Sequence, residues 1–562
     1  MSAAKGRNAA QCLVRQLEIH GIDHIFCVPG ESYLAVLDAL IGSPIKVTVC
    51  RAEGGAAMMA EAHGKLTGRP AACFVTRGPG AANAMPGLHI AQHDSTPMLV
   101  FVGQVERDVR DRGAFQELDY RAVFGSIAKW VAEIDNGERI PEIVSRAVHA
   151  AMSGRPGPVL VSLPEDMLRE SVEAGDAVCA AVVEAHPGAG QMARLGQLLG
   201  EAKRPLAILG GSRWSQVAVD QVAAFAGRWD LPVAVSFRRQ MLFPASHDSF
   251  AGDLGFGANP KLAARVRDAD LLLLIGARMA EVPSQGYGLI SIPEPEQRIV
   301  HVHPDPSELG KLYRPVLAIN AAPEAFAAAL EGVGPVPSPS PSRADFREAG
   351  RADFLAWTDP ERIVSPGDFH PARMMAWLRE KLPRDAILCN GAGNYATWVH
   401  RFHRFERFGT QLAPTSGSMG YGVPAAVAAK RMFPERAVIA FAGDGCFMMN
   451  GQEFATAVQY GLAIIVILID NGMYGTIRMH QEREFPGRPI ATALTNPDFA
   501  AYARAFGGHG ETVARTSDFA DAFDRASASG KPAILHCLLD PDAISPGTTL
   551  EAVRHAAFEV GR

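Results

Sequence analysis

The chain has 562 residues, 48% of them hydrophobic and 20% charged, with a net charge of −6 and a pI near 6.3. That length asks for two to four domains rather than one core. The mildly acidic balance gives no electrostatic case for nucleic acid or an anionic membrane as partner, and no apolar run is long enough to span a bilayer. The opening residues lack an apolar signal core, and the eight cysteines include no C-x-x-C pair. Disulfides and a zinc site are therefore not expected, and a cytoplasmic location is.

Between residues 1 and 180, apolar runs at 25–28, 46–50, 71–75 and 97–102 each end in a glycine-rich or polar turn, with a helix expected over 56–66. Such alternation predicts an α/β domain with a mostly parallel sheet. Glu53 and Gln104 then fall at carboxyl strand ends, where the sites of such sheets lie. After a Pro/Gly stretch at 186–190, runs at 206–209, 232–236, 271–275 and 299–302 predict a second α/β unit over 190–332. The Pro/Ser-rich stretch 332–342 cannot build a core and reads as a linker. Further runs at 386–389, 437–442 and 464–469 predict a third domain over 345–562. The expected architecture is three α/β domains with mostly parallel sheets, 1–180, 190–332 and 345–562.

In the third domain the run 437–442 breaks at Gly443-Asp444-Gly445, and a helix-like segment covers 446–458. The next run ends at Asn471, Gly472, Met473 and Tyr474. This is one parallel βαβ unit whose strand ends carry Asp444 and Asn471. Either turn alone is a common turn former. Ending two consecutive strands, the pair points instead to a ligand crevice. Carboxylate and carbonyl oxygens beside a phosphate suit Mg2+, and the N–H groups that open the helix suit the phosphate. The stretch Gly391-Ala392-Gly393-Asn394-Tyr395-Ala396 also fits the dinucleotide pattern G-x-G-x-x-A, so an NAD-dependent oxidoreductase is an alternative. No acidic strand end follows about twenty residues on, as that pattern requires.

Gly443-Asp444-Gly445, with 25 residues between Gly445 and Asn471, resembles the fingerprint of the thiamin-diphosphate (ThDP) enzymes. Segments 51–57, 76–83 with 94–97, 114–117 and 416–424 are similar to the acetolactate-synthase branch of that family. The resemblance implies that Asp444, Asn471 and the carbonyl of Met473 hold Mg2+ against the diphosphate. Gly443, Gly445, Cys446 and Tyr474 complete those cofactor-binding turns, and Asn394 and Tyr395 contact the diphosphate. Gly417 would offer its carbonyl to the 4′-amino group, and Met419 would wedge between the two rings. Glu53 would be the carboxyl that activates the aminopyrimidine, supplied by a second subunit, so a homodimer or homotetramer is implied. Gln104, Phe115 and Gln116 match positions lining the catalytic cavity.

FAD is a further cofactor the resemblance allows, through Gly210, Gly211, Arg278 and 305–311. The implied reaction is decarboxylation of a 2-oxo acid and transfer of the remainder to a second carbonyl compound. Departures from the pattern concern the substrate. His480 stands where biosynthetic members carry tryptophan, Val282 where they carry a substrate-binding arginine, and Gly54 where they carry glutamine. Gly113 and Ala114 replace the histidine pair of pyruvate decarboxylases. A lyase or decarboxylase acting on a larger 2-oxo or 2-hydroxyacyl substrate, with His480 as acid/base, is the alternative within the family. A cofactor-binding protein without catalysis is disfavoured by the retention of Glu53. His63, His89 and His93 are expected to be solvated or internally satisfied.

Overall fold

Short apolar runs with both faces covered build three six-stranded sheets, as parallel strands between helical layers require. The structure, a computed structural model, describes residues 6–179, 181–334 and 340–560. Residues 1–5 of the opening segment and 335–339 of the Pro/Ser-rich linker lie outside the described residues. The first sheet contains β1 (His24–Cys27), β2 (Lys46–Val49), β3 (Ala72–Val75), β4 (Met98–Gln104), β5 (Trp130–Glu133) and β6 (Pro158–Pro164), in the order β2-β1-β3-β4-β6-β5. Helices α1 (Glu53–Thr67) and α2 (Gly78–Asp94) join β2 to β3 and β3 to β4.

The second sheet holds β7 (Pro205–Leu209), β8 (Val233–Ser236), β9 (Phe250–Leu254), β10 (Leu271–Ile275), β11 (Arg298–His303) and β12 (Leu317–Asn320), ordered β9-β8-β7-β10-β11-β12. In the third, β13 (Ile387–Asn390) is followed by α3 (Tyr395–Phe402), β14 (Gln411–Leu412), α4 (Gly422–Met432) and β15 (Val438–Gly443). Then come α5 (Asp444–Asn450), α6 (Glu453–Gln459), β16 (Ile465–Asp470), α7 (Gly475–Glu484), β17 (His509–Val513), β18 (Ala533–Leu538) and α8 (Leu550–Val560). Its order is β14-β13-β15-β16-β18-β17. Every strand pair in the three sheets is parallel. The expected α/β class and mostly parallel sheets are what the chain forms.

The single helix expected over 446–458 is instead two, α5 and α6, broken at Gly451. Phe447 folds its ring over that glycine, where a Cβ would come within 2.5 Å of the ring's edge. The break turns Glu453 toward the first domain, where its Oε1 accepts the N–H groups of Arg51 (3.0 Å) and Ala52 (2.9 Å). Glu453 thus caps the start of α1 from another domain. Helices α1 and α4 pack together, and one continuous apolar core takes in Met58, Met59 and Leu88 with Val423, Val427 and Phe454. Within the layer, Tyr421 donates to Glu61 Oε2 at 2.5 Å and Thr96 to Glu61 Oε1 at 2.7 Å.

Candidate functional site

Strands β13, β15 and β16 lie side by side, so their carboxyl ends open onto one crevice. Asp444, the first residue of α5, is only 2% exposed. Burial pushes its carboxyl up to about 6, against the hydrogen bond that Asn496 gives its Oδ2 at 2.7 Å. The same Asn496 amide donates to Asp470 Oδ1 at 2.8 Å, so one side chain holds two carboxylates in place. Burial opposes ionisation of Asp470 too. There His536 (2.9 Å), the Gly472 N–H and Asn496 outweigh it and hold the carboxyl below its usual range. Asn471 follows immediately, and a Cβ on Gly475 would lie 2.9 Å from its amide nitrogen. Only glycine leaves the Asn471 side chain room at that point. The donor set of carboxylate, side-chain amide and Met473 carbonyl is all oxygen, which fits a hard divalent cation.

Two aromatic rings set the height of the glycine turns. Tyr395 packs on Gly443 and Tyr474 on Gly445, with less than a side chain's space beneath either glycine. The Tyr395 hydroxyl accepts the Gly391 N–H at 3.0 Å and lies 3.2 Å from Cys446 Sγ. Its polar end is therefore engaged inside the protein. Cys446 Sγ also accepts the Gly420 N–H at 3.2 Å, tethering the loop that carries Met419 to α5. Asn394 takes its orientation from α7, since Thr476 donates to its Oδ1 at 2.9 Å and accepts from its N–H at 3.1 Å.

Beside this crevice opens a cavity of about 870 Å³, lined by all three domains. Asn394, Gly417, Thr476, Met479, His480 and Arg483 form its third-domain side. Gly211, Arg238, Arg239, Asp253, Arg278 and Val282 form the second-domain side. The end of α2 contributes His93, Asp94 and Ser95. Asp94 is the joint. Its buried carboxyl meets Lys65 of α1 at 2.5 Å, Arg239 at 3.3 Å, and the Thr415 N–H at 3.0 Å. Burial resists the charge, yet Lys65 and Arg239 hold the carboxyl far below its usual range. The loop bearing Gly417 (φ 70°) and Met419 is thus fixed by a carboxylate of another domain. Asp253 has no such cation among the described residues; burial pushes it up to about 7, and Gln240 donates to it at 3.2 Å.

Glu53 and Gln116 are not brought to this crevice within the chain. Glu53 opens α1, half-buried, with Asn83 donating to its Oε2 at 3.1 Å. Its neighbour Gly54 faces Asn450, at the far end of α5 from Asp444. Seven helical residues separate those ends by roughly 10 Å. Gln116 sits in a tight loop at φ 65°, its carbonyl accepting the Gly78 N–H at 2.9 Å, and Phe115 beside it is 75% exposed. Gln104 is buried and donates to the Leu118 carbonyl at 3.0 Å. His63 is satisfied as expected, by Asp23 (3.0 Å) and the Arg69 carbonyl (3.2 Å), whereas His93 lines the cavity. Sequence reasoning missed Asn496, Asp470 and, of the cavity arginines, Arg238, Arg239 and Arg483. The acid at 470, adjoining Asn471, was the one legible signal among them.

Helix α7 carries Thr476, Met479, His480 and Arg483 on the cavity side and is held from behind. Arg554 of α8 makes a forked pair with Glu482 (2.8 Å twice), and Arg478 (3.0 Å) and the Gly487 N–H (2.8 Å) add to it. Replacing Glu482 with glutamine is expected to ease opening of α8 by on the order of 2 kcal/mol, seen as faster amide exchange confined to 550–560. Arg554 first, then Gly487 and Arg478, hold the Glu482 carboxyl at about 2 against an ordinary 4.5. The anchoring is therefore complete above pH 4.5 and is lost as pH falls toward 2.

Among the described residues no helix is long and apolar enough to cross a membrane. Three family profiles match in chain order. They are the N-terminal TPP binding domain of thiamine pyrophosphate enzymes over residues 7–123, the central domain over 192–330, and the C-terminal TPP binding domain over 391–537. The chain is 31% identical to the acetolactate synthase large subunit of Corynebacterium glutamicum, with 99% of this chain and 92% of that protein covered. It is also 31% identical to the acetolactate synthase isozyme 2 large subunit of Escherichia coli, over 95% and 96% of the two chains. With the large subunit of Parasynechococcus marenigrum the identity is 32%, over 90% and 83%. A crevice at parallel strand ends with Asp444 and Asn471 at its base, and three matched domains around it, place the chain in the thiamine pyrophosphate enzyme family, as a ThDP-dependent enzyme related to acetolactate synthase large subunits.

Proposed function

We propose that the protein decarboxylates a 2-oxo acid and joins the remainder to a second carbonyl compound, in the manner of an acetolactate synthase, using ThDP and Mg2+. The observation that carries this is the pairing of Asp444 and Asn471 at adjacent strand ends, with Asn496 fixing the first. Asp444, Asn471 and the Met473 carbonyl would hold Mg2+ and through it the diphosphate. Asn394 and the backbone of 443–446 would line that end, and Tyr395 and Tyr474 set its depth from beneath. Gly417 and Met419 would shape the bend of the cofactor, on a loop that Asp94 and Cys446 keep in place. When bound, ThDP supplies the nucleophilic carbon and the electron sink for the departing carbon dioxide. Glu53 would hold the proton at the aminopyrimidine nitrogen, and Gln116 would face the substrate.

Because Glu53 and Gln116 sit away from Asp444 in their own chain, the partner subunit of a homodimer or homotetramer is the proposed source of both. Exposed apolar side chains support that reading: Met448 and Met449, on the helix that begins at Asp444, are 54% and 47% exposed. The second-domain wall, with Gly211 and the guanidinium of Arg278 that burial lowers to about 10, would suit the diphosphate of FAD. The cavity lies in the size range of drug-sized ligands, so a larger 2-oxo acid, with His480 as acid/base, is the second reading. Buried thiols at Cys12, Cys27, Cys73 and Cys389 are in keeping with a reducing cytoplasm.

Pyruvate and larger 2-oxo acids offered to the purified protein should be consumed only when ThDP and Mg2+ are both added, with carbon dioxide and a ligated product formed together. Consumption without ligation would favour the decarboxylase reading, and none with any 2-oxo acid would overturn both. A visible absorption band in the same preparation tests FAD, and a colourless active enzyme removes it.

A further inference from the structure

We infer that Arg483 is the residue that takes the carboxylate of the 2-oxo acid, forming an anion subsite at the outer end of α7. This rests on the reaction proposed above. The cavity is lined by four arginines, and three of them are already engaged. Arg238 donates to the Pro414 carbonyl, and Arg239 to the Gly211 carbonyl (2.9 Å) and to Asp94. Arg278 donates to the His93 carbonyl at 2.7 Å. The guanidinium of Arg483 has no hydrogen bond and no ion pair among the described residues. It is exposed and lines the same cavity as Phe256, Val282, Pro283 and Tyr287.

Its place follows from helix geometry. Thr476, Met479, His480 and Arg483 recur at i, i+3, i+4 and i+7, and so form one stripe along α7. Thr476, at the inner end, is bonded to Asn394 beside the proposed diphosphate site. Arg483 lies seven residues further out, roughly 10 Å along the axis. That spacing keeps a second anion apart from the first. On the opposite face, Glu482 and Arg478 are locked to one another, and Glu482 to Arg554, so the stripe is presented by a helix that cannot roll. A guanidinium presents a planar fork of donors that matches a carboxylate, and an uncompensated one is the natural counter-ion for it. No covalent step is assigned to Arg483. It is a substrate-binding residue, and His480, one turn inward on the stripe, is left beside the reacting end.

The test uses the full chain loaded with ThDP and Mg2+, and oxamate as probe, a carboxylate-bearing mimic of pyruvate that does not decarboxylate. By titration calorimetry, Arg483→Gln should weaken oxamate roughly 10- to 100-fold, while its neutral diamide, oxamide, binds both proteins alike. Arg483→Lys should recover part of the loss. ThDP affinity should stay within about twofold in both variants, and KM for the 2-oxo acid should rise with kcat within about threefold. Unchanged oxamate affinity in Arg483→Gln, or equal loss of oxamate and oxamide, overturns the assignment. Absence of oxamate binding by the unaltered protein overturns it as well. Tight, Arg483-dependent oxamate binding with no turnover of any 2-oxo acid would instead uphold the subsite and overturn the proposed reaction.

Discussion

Glutamine at position 53 should lower turnover of a 2-oxo acid by roughly 10²- to 10⁴-fold and leave folding nearly untouched. The two halves of that expectation have separate physical grounds. A carboxyl that must hold and release a proton at the cofactor cannot be replaced by an amide of the same shape, because the amide does not ionise and cannot shuttle a proton. Structurally, however, Glu53 does little in its own chain. It is half-buried at the first position of α1, where the acid gains a few tenths of a kcal/mol from the helix dipole. The capping of that helix is done by Glu453, from α6. The hydrogen bond from Asn83 to Glu53 Oε2 can be kept by the glutamine carbonyl oxygen. Stopped-flow turnover and a thermal melt on the same preparation check both halves. A fall in melting temperature of more than a few degrees, or turnover within tenfold of the original, would remove Glu53 from the chemistry.

Asn in place of Asp444 is expected to weaken Mg2+-dependent ThDP binding by more than about 100-fold and, in the cofactor-free protein, to cost no stability. Burial raises the Asp444 carboxyl to about 6, from 3.8. A raised acid makes the folded state bind its proton more tightly than the unfolded state does. Ionisation therefore lowers stability as pH climbs through that window, and the penalty is fully present above it. An amide carries no such penalty and can still meet Asn496, with its carbonyl oxygen accepting the bond. The cofactor-free variant should melt at or above the original at pH 8, with the difference shrinking toward pH 4. Fluorescence titration of ThDP at fixed Mg2+ checks the binding half, and equal affinity in the two proteins would exclude Asp444 as a metal ligand.

Legibility in the sequence followed local pattern. Strands β15 and β16 were readable because each is an unbroken apolar run ending at glycine, asparagine or aspartate, and both are buried along nearly their whole length. The turns carrying Asp444, Asn471 and Met473 came with them. Strand β17, His509–Val513, was not readable, since its residues are mostly half-exposed and polar at the sheet's edge. The split between α5 and α6 was hidden because it depends on where the Phe447 ring falls, and the run from 446 to 458 keeps helical composition throughout. Asn496 lies in a stretch with no apolar period, and its partners are 26 and 52 positions back. The cavity is assembled from three domains, so no window of sequence contains it.

The carboxylate of Asp94 has a consequence for the order in which the molecule is made. Emerging first from the ribosome, the first domain would close two acids, Glu61 and Asp94, around a single cation, Lys65. One negative charge there remains without a partner until Arg239 arrives from the second domain, and Glu61 waits longer still for Tyr421. A buried charge left uncompensated costs several kcal/mol. The first domain by itself should therefore hold this region open to water, and closure should come only when the whole chain has been synthesised and docked. Chimeras that import a foreign middle domain would need to bring a cation to the place of Arg239, or this latch would never shut.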